Sequence, residues 1–600
     1  MFNAPRAQPR YTTSNGGFGG SFVDENPLSV SVYDALDPWS NSPSPSATPA
    51  PGAANNSLFS SIIADATVPP IYSQSFQMVD SLNSGEVSVS SLSRVLQTSN
   101  LPAGTIDKIV NLVSSKPRVS KLEFFVALAL VALAQEGKDV SIEQVAALSS
   151  QNTLPEPTLD LGSLPPSTST FAPINYRQNT APMAAPIPAY DPWNTNSRGP
   201  NNAFDAPPAP APLPSSLSGT GLPPYWWKKQ EAVKVALLGP QGFILNRYMT
   251  YEITSSRGTP VTRRYSEFVF VWECLLRRYP FRLFPALPPK RIGGDEVFLE
   301  QRRRGLARSL SFLLNHPVIK EDALLAAFLT EPSFEIWRKQ TAINLDEESV
   351  SKRVDRNEEM TIPSDLEEKL VILRRRINPL IEQWQRICIL AERIIKRREA
   401  AASDMARLTN TLRAVVEVNE QCWRGDDCEL SSGVRGGLQQ VAAHAQRHSE
   451  LSELRTRALY DTTLEQIKGQ RDLYIAVKDL LIRHDRLSID QVERLKQRVE
   501  TTSLKMEGVK VAQKDGWQEE VEKQIASIER DKATIAAQLS RRVFIRACMW
   551  HELRVVLHNR ENALVSQMIQ LFAREEEAFS QNVAQTWTSL NDAVEGLPFE

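Results

Sequence analysis

The spacing of apolar residues changes along this chain, and each change predicts a different kind of structure. Residues 122–133 are almost wholly apolar, which predicts a buried helix. Between residues 233 and 265, apolar positions form short runs separated by Gly-Pro and Arg-Gly turns, which predicts three strands. Residues 268–276 then follow the spacing of one helix face. From Ser364 onwards the chain contains few helix breakers and predicts very long helices.

Three helices are predicted for this last part of the chain. Ser364 followed by Glu367 is a helix start signal, because each side chain reaches the backbone N–H of the other residue. Proline inside the first helix, at Pro379, is expected to kink it. The predicted helices cover residues 364–422, 438 to beyond 486, and 517–593, with glycines expected to break the chain at 433–437 and again at 508–516. At 1.5 Å per residue the first and third would span roughly 90 and 115 Å, which predicts an elongated three-helix bundle.

The third helix contains an unusually apolar stretch, from Val543 to Trp550. One face of a bundle does not need so many apolar side chains, so we expect a second copy of the chain to cover them. Basic groups cluster at residues 374–376, 396–398 and 541–542. Two interpretations of these clusters remain: a solvated helix face, or a surface that contacts anionic lipid.

Proline marks the segments that are not expected to fold. Residues 1–60 and 151–224 contain 8 and 17 of the 40 prolines, with many Ser, Asn, Ala and Thr residues. Such segments cannot bury enough apolar surface, so we interpret both as disordered. Each contains one Asp-Pro-Trp tripeptide, Asp37-Pro38-Trp39 and Asp191-Pro192-Trp193, which predicts docking to a trafficking adaptor through the Trp side chain.

Charge is divided unevenly along the chain. The net charge is −2, but residues 221–340 carry 19 Lys and Arg against 11 Asp and Glu, a net of +8. A compact basic domain indicates a polyanionic partner, either nucleic acid or anionic lipid. The aromatic side chains of this domain fall on an apolar helix face and are not interleaved with the basic ones, which argues against nucleic acid.

The remaining composition excludes several classes of protein. The five cysteines are scattered and lack metal-ligand spacing, so we expect reduced cytosolic thiols, no metal and no cofactor. Neither a secretory signal nor a run of 18 apolar residues occurs, so any membrane contact is expected to be peripheral. No Gly-rich phosphate loop or nucleophile motif occurs, and the six histidines lack catalytic partners, so we do not expect an enzyme.

Three motifs in the basic domain point to a pocket for a phosphorylated ring. They are Arg263-Arg264-Tyr265-Ser266-Glu267-Phe268, Pro285-Ala286-Leu287-Pro288-Pro289-Lys290 and Arg302-Arg303-Arg304-Gly305-Leu306. Together with the three strands they resemble a PX (phox-homology) domain, which implies an α+β fold that binds phosphatidylinositol 3-phosphate. The resemblance implies that Arg264 clamps the 3-phosphate and that Tyr265 lies under the inositol ring. It also implies that Lys290 meets the 1-phosphate and that Arg302 hydrogen-bonds the 4- and 5-hydroxyls.

Three neighbouring arginines have no assigned contact with the lipid. Arg263 alternates away from Arg264 on the predicted strand, so we expect it to be solvated or structural. Arg303 and Arg304 stay open between an exposed helix face and general contacts with lipid.

The segment 65–150 resembles an EH domain, the paired EF-hand-like module of endocytic proteins. The matching residues are Leu101-Pro102, Glu123-Phe124 and Val126-Ala127-Leu128. The loop at 114–119 has no acidic ligand before Glu123, so calcium binding is not expected. Val110 stands where the family has a Trp in its peptide pocket, so binding of Asn-Pro-Phe peptides is not expected either. We interpret the segment as a degenerate scaffold or docking module.

Long helices after a PX-like domain resemble the BAR region of sorting nexins. The runs Asp479–Ser488 and Arg541–Leu553 are most similar to the fungal vacuolar-protein-sorting members related to mammalian sorting nexin eight. This resemblance implies a cytoplasmic protein, peripheral on the cytosolic face of endosomes, that forms a homodimer or a higher oligomer. It further implies tubulation of membrane for retrieval of cargo from the endosome or vacuole to the Golgi. The alternative is a phosphoinositide-targeted scaffold that does not shape membrane.

The predicted fold class is therefore multidomain and mainly α. A small α+β PX-like domain precedes a long three-helix BAR bundle, and a helical EH-like unit and Pro-rich segments precede both. The predicted boundaries are 1–64 disordered, 65–150 EH-like, 151–226 disordered, 227–340 PX-like and 364–600 BAR-like.

Overall fold

A computed structural model gives the architecture of the chain. It describes residues 67–80, 85–114, 116–151, 154–163, 221–223, 225–241, 248–290, 296–425, 428–512 and 516–599. We call residues 67–163 the N-terminal unit, residues 225–340 the basic domain and residues 366–594 the helical bundle. Both Asp-Pro-Trp tripeptides lie outside the described residues. So do the segments predicted to be disordered, apart from residues 151, 154–163, 221–223 and 225–226.

The N-terminal unit consists of four helices around a fifth, buried helix. Its helices are α1 (Pro70–Val79), α2 (Val89–Gln97), α3 (Ala103–Val113), α4 (Lys121–Gln135) and α5 (Ile142–Ser150). Two short strands, β1 (Glu86–Ser88) and β2 (Arg118–Ser120), pair antiparallel and join its two helix–loop–helix halves. Helix α4 is buried on all sides from Phe124 to Leu133, which confirms the prediction made from its composition.

The N-terminal unit extends further than its predicted end at residue 150. Residues 154–163, predicted as linker, pack on it, because Tyr72 donates a hydrogen bond to the carbonyl of Pro155 at 2.7 Å and Leu154 is buried. Glu123 accepts a hydrogen bond from the backbone N–H of Ser120 at 2.7 Å and so caps α4. Val110 lies in the core, with 1% of its surface exposed.

The basic domain places an antiparallel three-stranded sheet against four helices. The strands are β3 (Val233–Gln241), β4 (Tyr248–Ser255) and β5 (Val261–Arg264), in the order β3-β4-β5. A bulge in β3 shifts the register between Leu237 and Gly239, where glycine supplies the φ of +105° that the bulge requires. The helices are α6 (Tyr265–Arg278), α7 (Glu296–Leu314), α8 (Ala323–Thr330) and α9 (Phe334–Gln340). This α+β arrangement confirms the predicted one.

The helical bundle contains more helical segments than the three predicted. After two short connecting helices, α10 (Glu348–Ser351) and α11 (Arg356–Met360), its helices are α12 (Leu366–Val418), α13 (Glu429–Ala458), α14 (Leu464–Leu487), α15 (Val492–Ala512), α16 (Trp517–His551) and α17 (Asn562–Val594). Wide π-helical turns, Leu459–Thr463 and Glu552–Glu561, join α13 to α14 and α16 to α17. Helix α12 continues through Pro379, and the predicted kink there stays a prediction.

Two predicted helix boundaries are wrong for reasons of packing. The predicted break before residue 438 does not occur, because Gly433 and Gly437 lie inside α13. A Cβ atom at Gly433 would come within 2.6 Å of Pro598, so these glycines let the C-terminal residues lie close to the helix. The second predicted helix is interrupted near Ser488, because α15 turns back and pairs with α16 as a separate hairpin.

The apolar stretch from Val543 to Trp550 does not need a second copy of the chain. Phe544, Ile545 and Met549 are buried against helix α12, helix α14 and the segment 281–283 of the basic domain. The expectation that a second copy covers this stretch is therefore wrong. The sequence pattern predicted correctly that these side chains are buried, but the residues that cover them include a distant part of the same chain, at 281–283.

Candidate functional site

Strand β5 determines which of two adjacent arginines faces solvent. Its four residues alternate between buried and exposed, so Val261 and Arg263 point inwards while Thr262 and Arg264 point outwards. The guanidinium of Arg263 donates to the carbonyls of Phe328 at 2.8 Å and of Glu331, at the end of α8. Arg263 thus has a structural role, because it satisfies carbonyl groups that the helix leaves without partners.

Arg264 lies at the surface between an aromatic ring and a carboxylate. Its guanidinium carbon is 4.2 Å from the ring centre of Tyr248, and its Nη2 is 3.4 Å from Oε2 of Glu335. The side chains of Arg264 and Glu335 are 44% and 43% exposed, so this ion pair contributes little and exchanges readily for another anion. Lys339, and after it Arg264, hold the pKa of Glu335 below its ordinary value.

Tyr265 follows Arg264 directly and opens helix α6. Its hydroxyl donates a hydrogen bond to the carbonyl of Pro288, which fixes the ring against the proline turn. The guanidinium carbon of Arg302 is 4.8 Å from the Tyr265 ring centre and 4.5 Å from that of Phe298. Burial raises the pKa of Tyr265 to about 12, with Arg302 opposing the shift, so this hydroxyl stays protonated as a donor.

The proline turn is held on both sides by hydrogen bonds to its carbonyls. The indole N–H of Trp272 donates to the carbonyl of Pro285 at 3.0 Å, and the hydroxyl of Ser309 donates to that of Ala286 at 3.1 Å. Arg302 donates from Nη2 to the carbonyl of Pro289 at 3.4 Å. Lys290, the next residue, is exposed at the end of this turn. Lys290 therefore lies two residues beyond the carbonyl that accepts the hydrogen bond of Tyr265.

The four residues predicted from the sequence motifs lie in one locality. Arg264 and Tyr265 are adjacent, Arg302 stacks over the Tyr265 ring, and Lys290 follows the turn that both contact. Sequence reasoning missed three neighbours that shape this locality: Tyr248, Phe298 and Glu335. The strand pairing could have indicated Tyr248. Thr250 of β4 lies opposite Arg264 of β5, and Tyr248 is two residues before Thr250 on the same side of the sheet.

Arg303 and Arg304 form structural contacts and are not left as an exposed face. Arg303 donates to the carbonyl of Val235 at 2.8 Å and pairs with Glu300 at 2.6 Å. Arg304 donates to the carbonyl of Tyr460 at 3.1 Å and pairs with Asp461 at 2.9 Å, in the first π-helical turn of the bundle. The residues of the third basic motif thus differ in role, because Arg302 lies over the Tyr265 ring and Arg304 connects the basic domain to the bundle.

A buried charged cluster joins the basic domain to the bundle at the second π-helical turn. Arg282 pairs with Glu348 and with Glu552, each at 3.1 Å, and Nε2 of His316 lies 3.0 Å from Glu552. Burial opposes ionisation of Glu552, yet contacts with His316, His551 and Arg282 hold its pKa well below the ordinary value. The cluster fixes the orientation of the pocket relative to the bundle.

The basic clusters of the bundle divide into paired and exposed residues. Arg374, Arg398, Arg541 and Arg542 form ion pairs with Asp485, Glu576, Glu347 and Asp490 respectively. The side chains at 375–376 and 396–397 are exposed. Only this second group is placed to meet an anionic surface without first breaking an ion pair of the bundle.

Among the described residues, no group of three His, Cys, Asp or Glu side chains is arranged to hold a metal ion. None of the described helices has the length and apolar character needed to cross a bilayer. All five cysteines are free thiols, and three of them are buried.

Comparison with known proteins gives matches over most of the chain. The family model described as "PX domain" matches residues 252–332, and "Sorting nexin 8/Mvp1 BAR domain" matches residues 342–600. "Sorting nexin MVP1" of Cryptococcus neoformans var. neoformans serotype D is 36% identical over 643 residues, covering 100% of both chains. "Sorting nexin MVP1" of Mycosarcoma maydis is 30% identical, covering 81% of this chain and 87% of that protein.

A solved structure is also similar. "The cryo-EM structure of the SNX-BAR Mvp1 tetramer" has 25% sequence identity and a TM-score of 0.49, and it covers 59% of this chain and 99% of that chain. The two family models begin after the N-terminal unit, so its resemblance to an EH domain stays a prediction.

Proposed function

The chain belongs to the sorting nexin MVP1 family of PX–BAR proteins, and from this membership we propose that it recognises phosphatidylinositol 3-phosphate on endosomes. It forms a dimer and draws membrane into tubules that return cargo from the endosome or vacuole to the Golgi. The observation that carries the proposal is the ring of Tyr265, with Arg302 stacked over it and exposed Arg264 beside it. The chain acts by binding, and we assign it no catalytic step.

Lipid recognition follows from the chemistry of the four site residues. Arg264 exchanges its weak pairing with Glu335 for the 3-phosphate, because a guanidinium binds phosphate through two parallel hydrogen bonds. Tyr265 supports the inositol ring, and Lys290 meets the 1-phosphate as a point charge. Arg302 is held by its two ring contacts and by Pro289, so its position suits hydrogen bonds to the 4- and 5-hydroxyls and disfavours phosphate there.

An exposed apolar stripe supports dimer formation through the bundle. Ile387, Leu390 and Ile394 lie on one face of α12 and are 42–53% exposed, and Ile569 and Phe572 are exposed on the neighbouring helix α17. Exposed large apolar residues at i, i+3 and i+7 are typical of a helix that packs against another helix. The proposed occupant is a second copy of this chain, as the BAR family implies.

The scaffold alternative is favoured because half of the basic residues in the three clusters form ion pairs. Arg374, Arg398, Arg541 and Arg542 each already pair with a carboxylate, which leaves fewer unpaired cations in these clusters for bending a membrane. Purified protein that binds vesicles without forming tubules would support this alternative. Binding to a trafficking adaptor through the Asp-Pro-Trp tripeptides is compatible with both functions.

The proposed lipid is tested by flotation of the full chain with vesicles that differ in one phosphoinositide headgroup. We expect flotation with phosphatidylinositol 3-phosphate, and weaker binding by about 2 kcal/mol for Arg264→Ala, since one charge-assisted contact is lost. Arg277→Ala removes an exposed arginine from helix α6 and serves as the matched control. Equal flotation with every headgroup, or unchanged flotation of Arg264→Ala, would contradict the site assignment.

A further inference from the structure

The N-terminal unit lies against the helical bundle through helix α3, which runs antiparallel to α12. Ala103 at the start of α3 meets Glu417, and Ser114 just beyond its end meets Arg407. These positions are eleven residues apart on one helix and ten on the other, or roughly 15 Å at 1.5 Å per residue. Two groups of α12 are therefore spaced to meet the two ends of α3.

The start of helix α3 has no cap from its own sequence. Its N-cap position is Pro102, which has no side-chain hydrogen bond to offer. Glu417 supplies the missing acceptor, because its two carboxylate oxygens accept from the backbone N–H of Ala103 at 2.7 and 2.6 Å. A carboxylate at a helix N-terminus satisfies a free N–H group and is stabilised by the helix dipole.

The end of helix α3 receives a cation in the same way. The guanidinium of Arg407 donates to the carbonyls of Ser114 and Lys116, each at 3.0 Å. Ser114 is the C-cap residue, so the cation lies just beyond the last turn of the helix, where it is favourable for the converse reason. Both ends of α3 are thus contacted by side chains from a helix that lies 293 to 314 residues later in the sequence.

Small and polar side chains also contribute to the contact, both between the two caps and beside them. A Cβ atom at Gly104 would lie 3.9 Å from the Cβ of Ala414, so the backbones approach closely. The amide of Asn410 donates to the hydroxyl of Ser93 at 2.9 Å in a buried position. Arg118, in β2, forms an ion pair with Glu399. Contacts of this kind are specific in register, unlike a smooth apolar surface.

Charge and chain connection support a contact within one molecule. Residues 67–163 carry six basic and nine acidic side chains, a net of −3, so the unit is not suited to an anionic membrane. Fifty-seven residues, 164–220, connect it to the basic domain. A connection of this length gives a high effective concentration, because the closure penalty of a loop grows only slowly with its length.

We propose that the N-terminal unit is an intramolecular brace of the bundle, whose binding partner is helix α12 of its own chain. Glu417 and Arg407 act as a pair of caps that recognise the two ends of α3 and set the register of the contact. The brace holds the hairpin of α12 and α13, because the unit contacts both helices. This inference is independent of the proposed lipid specificity.

The first test is hydrogen exchange of the full chain carrying Glu417→Ala and Arg407→Ala together. We expect amide exchange in residues 103–113 and 403–417 to rise at least tenfold, while residues 248–278 of the basic domain stay unchanged. Glu420→Ala, which removes an exposed carboxylate one turn away, is the matched control. Exchange equal to that of the unmodified chain in the double variant would overturn the proposal.

The second test separates a contact within one chain from an exchange between two. Gly104→Cys with Ala414→Cys brings two Cβ atoms to the separation that a disulfide needs. We expect a cross-link of monomeric mass on oxidation, and restored exchange protection when it is added to the double variant. The pair Gly104→Cys with Ala401→Cys, about 20 Å apart along the helix, is the control. A cross-link of dimeric mass, or none, would contradict the intramolecular brace.

Discussion

Arg263 and Arg264 are neighbours in β5 with different environments. Arg263 is 1% exposed, with its guanidinium against carbonyls at the end of α8 and 5.3 Å from the Phe328 ring centre. Arg264 is exposed beside Tyr248. The strand period of two assigns one residue to stability and leaves the other available to a ligand. The same substitution at the two positions should therefore affect different properties.

Arg263→Ala is expected to destabilise the basic domain by roughly 2–4 kcal/mol, because it leaves buried carbonyl groups without donors. Arg264→Ala should change stability by less than about 0.5 kcal/mol, as is usual for an exposed side chain. Melting temperatures of the two variants check this contrast. If Arg263→Ala melts like the unmodified chain, the carbonyls at the end of α8 have other partners and Arg263 is not a structural residue.

At the scale of elements, two faces of helix α12 have different environments. The face through Arg407 and Glu417 is covered by the N-terminal unit. The face through Ile387 and Ile394 is exposed in the single chain. A helix of 53 residues can contact two partners, because each of its faces extends over many turns. The brace therefore leaves the proposed dimer surface uncovered.

Ile394→Asp should dissociate the dimer, because it places a charge in an apolar contact at a cost of several kcal/mol. We expect monomers in sedimentation at concentrations where the unmodified chain is dimeric. Binding to vesicles should also weaken by about 100-fold, since two linked pockets bind with avidity that one pocket lacks. Val511→Asp, at a highly exposed site on α15, is the control. A variant that sediments as a dimer would place the dimer surface elsewhere.

At the scale of the whole molecule, the basic domain is locked to the bundle by buried polar contacts. His316 is fully buried, and its Nδ1 accepts from the backbone N–H groups of Val318 and Ile319, each at 3.2 Å. The ring is therefore neutral and donates from Nε2 to Glu552. Burial lowers the pKa of His316 and outweighs the attraction of Glu552. The pocket is thus held at a fixed orientation to the helices.

This junction should lose stability as the pH falls below about 6.5. The unfolded histidine takes up a proton near that pH and the folded one does not, so acid favours the unfolded state. His316→Gln removes this titration and should make the loss of stability between pH 7.5 and 5.5 smaller by about 1 kcal/mol. His558→Gln, at an exposed position, is the control. Equal pH dependence in both variants would show that His316 is not the group responsible.

The sequence by itself determined features whose cause is local. Strand alternation separated Arg263 from Arg264, and the motifs around Tyr265 and Lys290 predicted four residues that the structure brings close together. The apolar composition of α4 required burial on all sides. Long helices followed from the absence of breakers after Ser364. Each of these depends on a residue and its near neighbours, so a single sequence contains the necessary information.

The tertiary structure decided which surfaces meet. Nothing near Val543 indicates that Phe281 and Leu283, more than 250 residues earlier, cover it. From the sequence Gly433 predicts a break in the helix, whereas in the structure it lies inside a helix and makes room for Pro598. From the sequence Glu417 and Arg407 are ordinary charges on a solvated helix, and only the structure places them at the two ends of α3. Such contacts depend on how separately folded units approach one another, and their energies come from partners that are distant in the chain, so sequence pattern alone does not specify them.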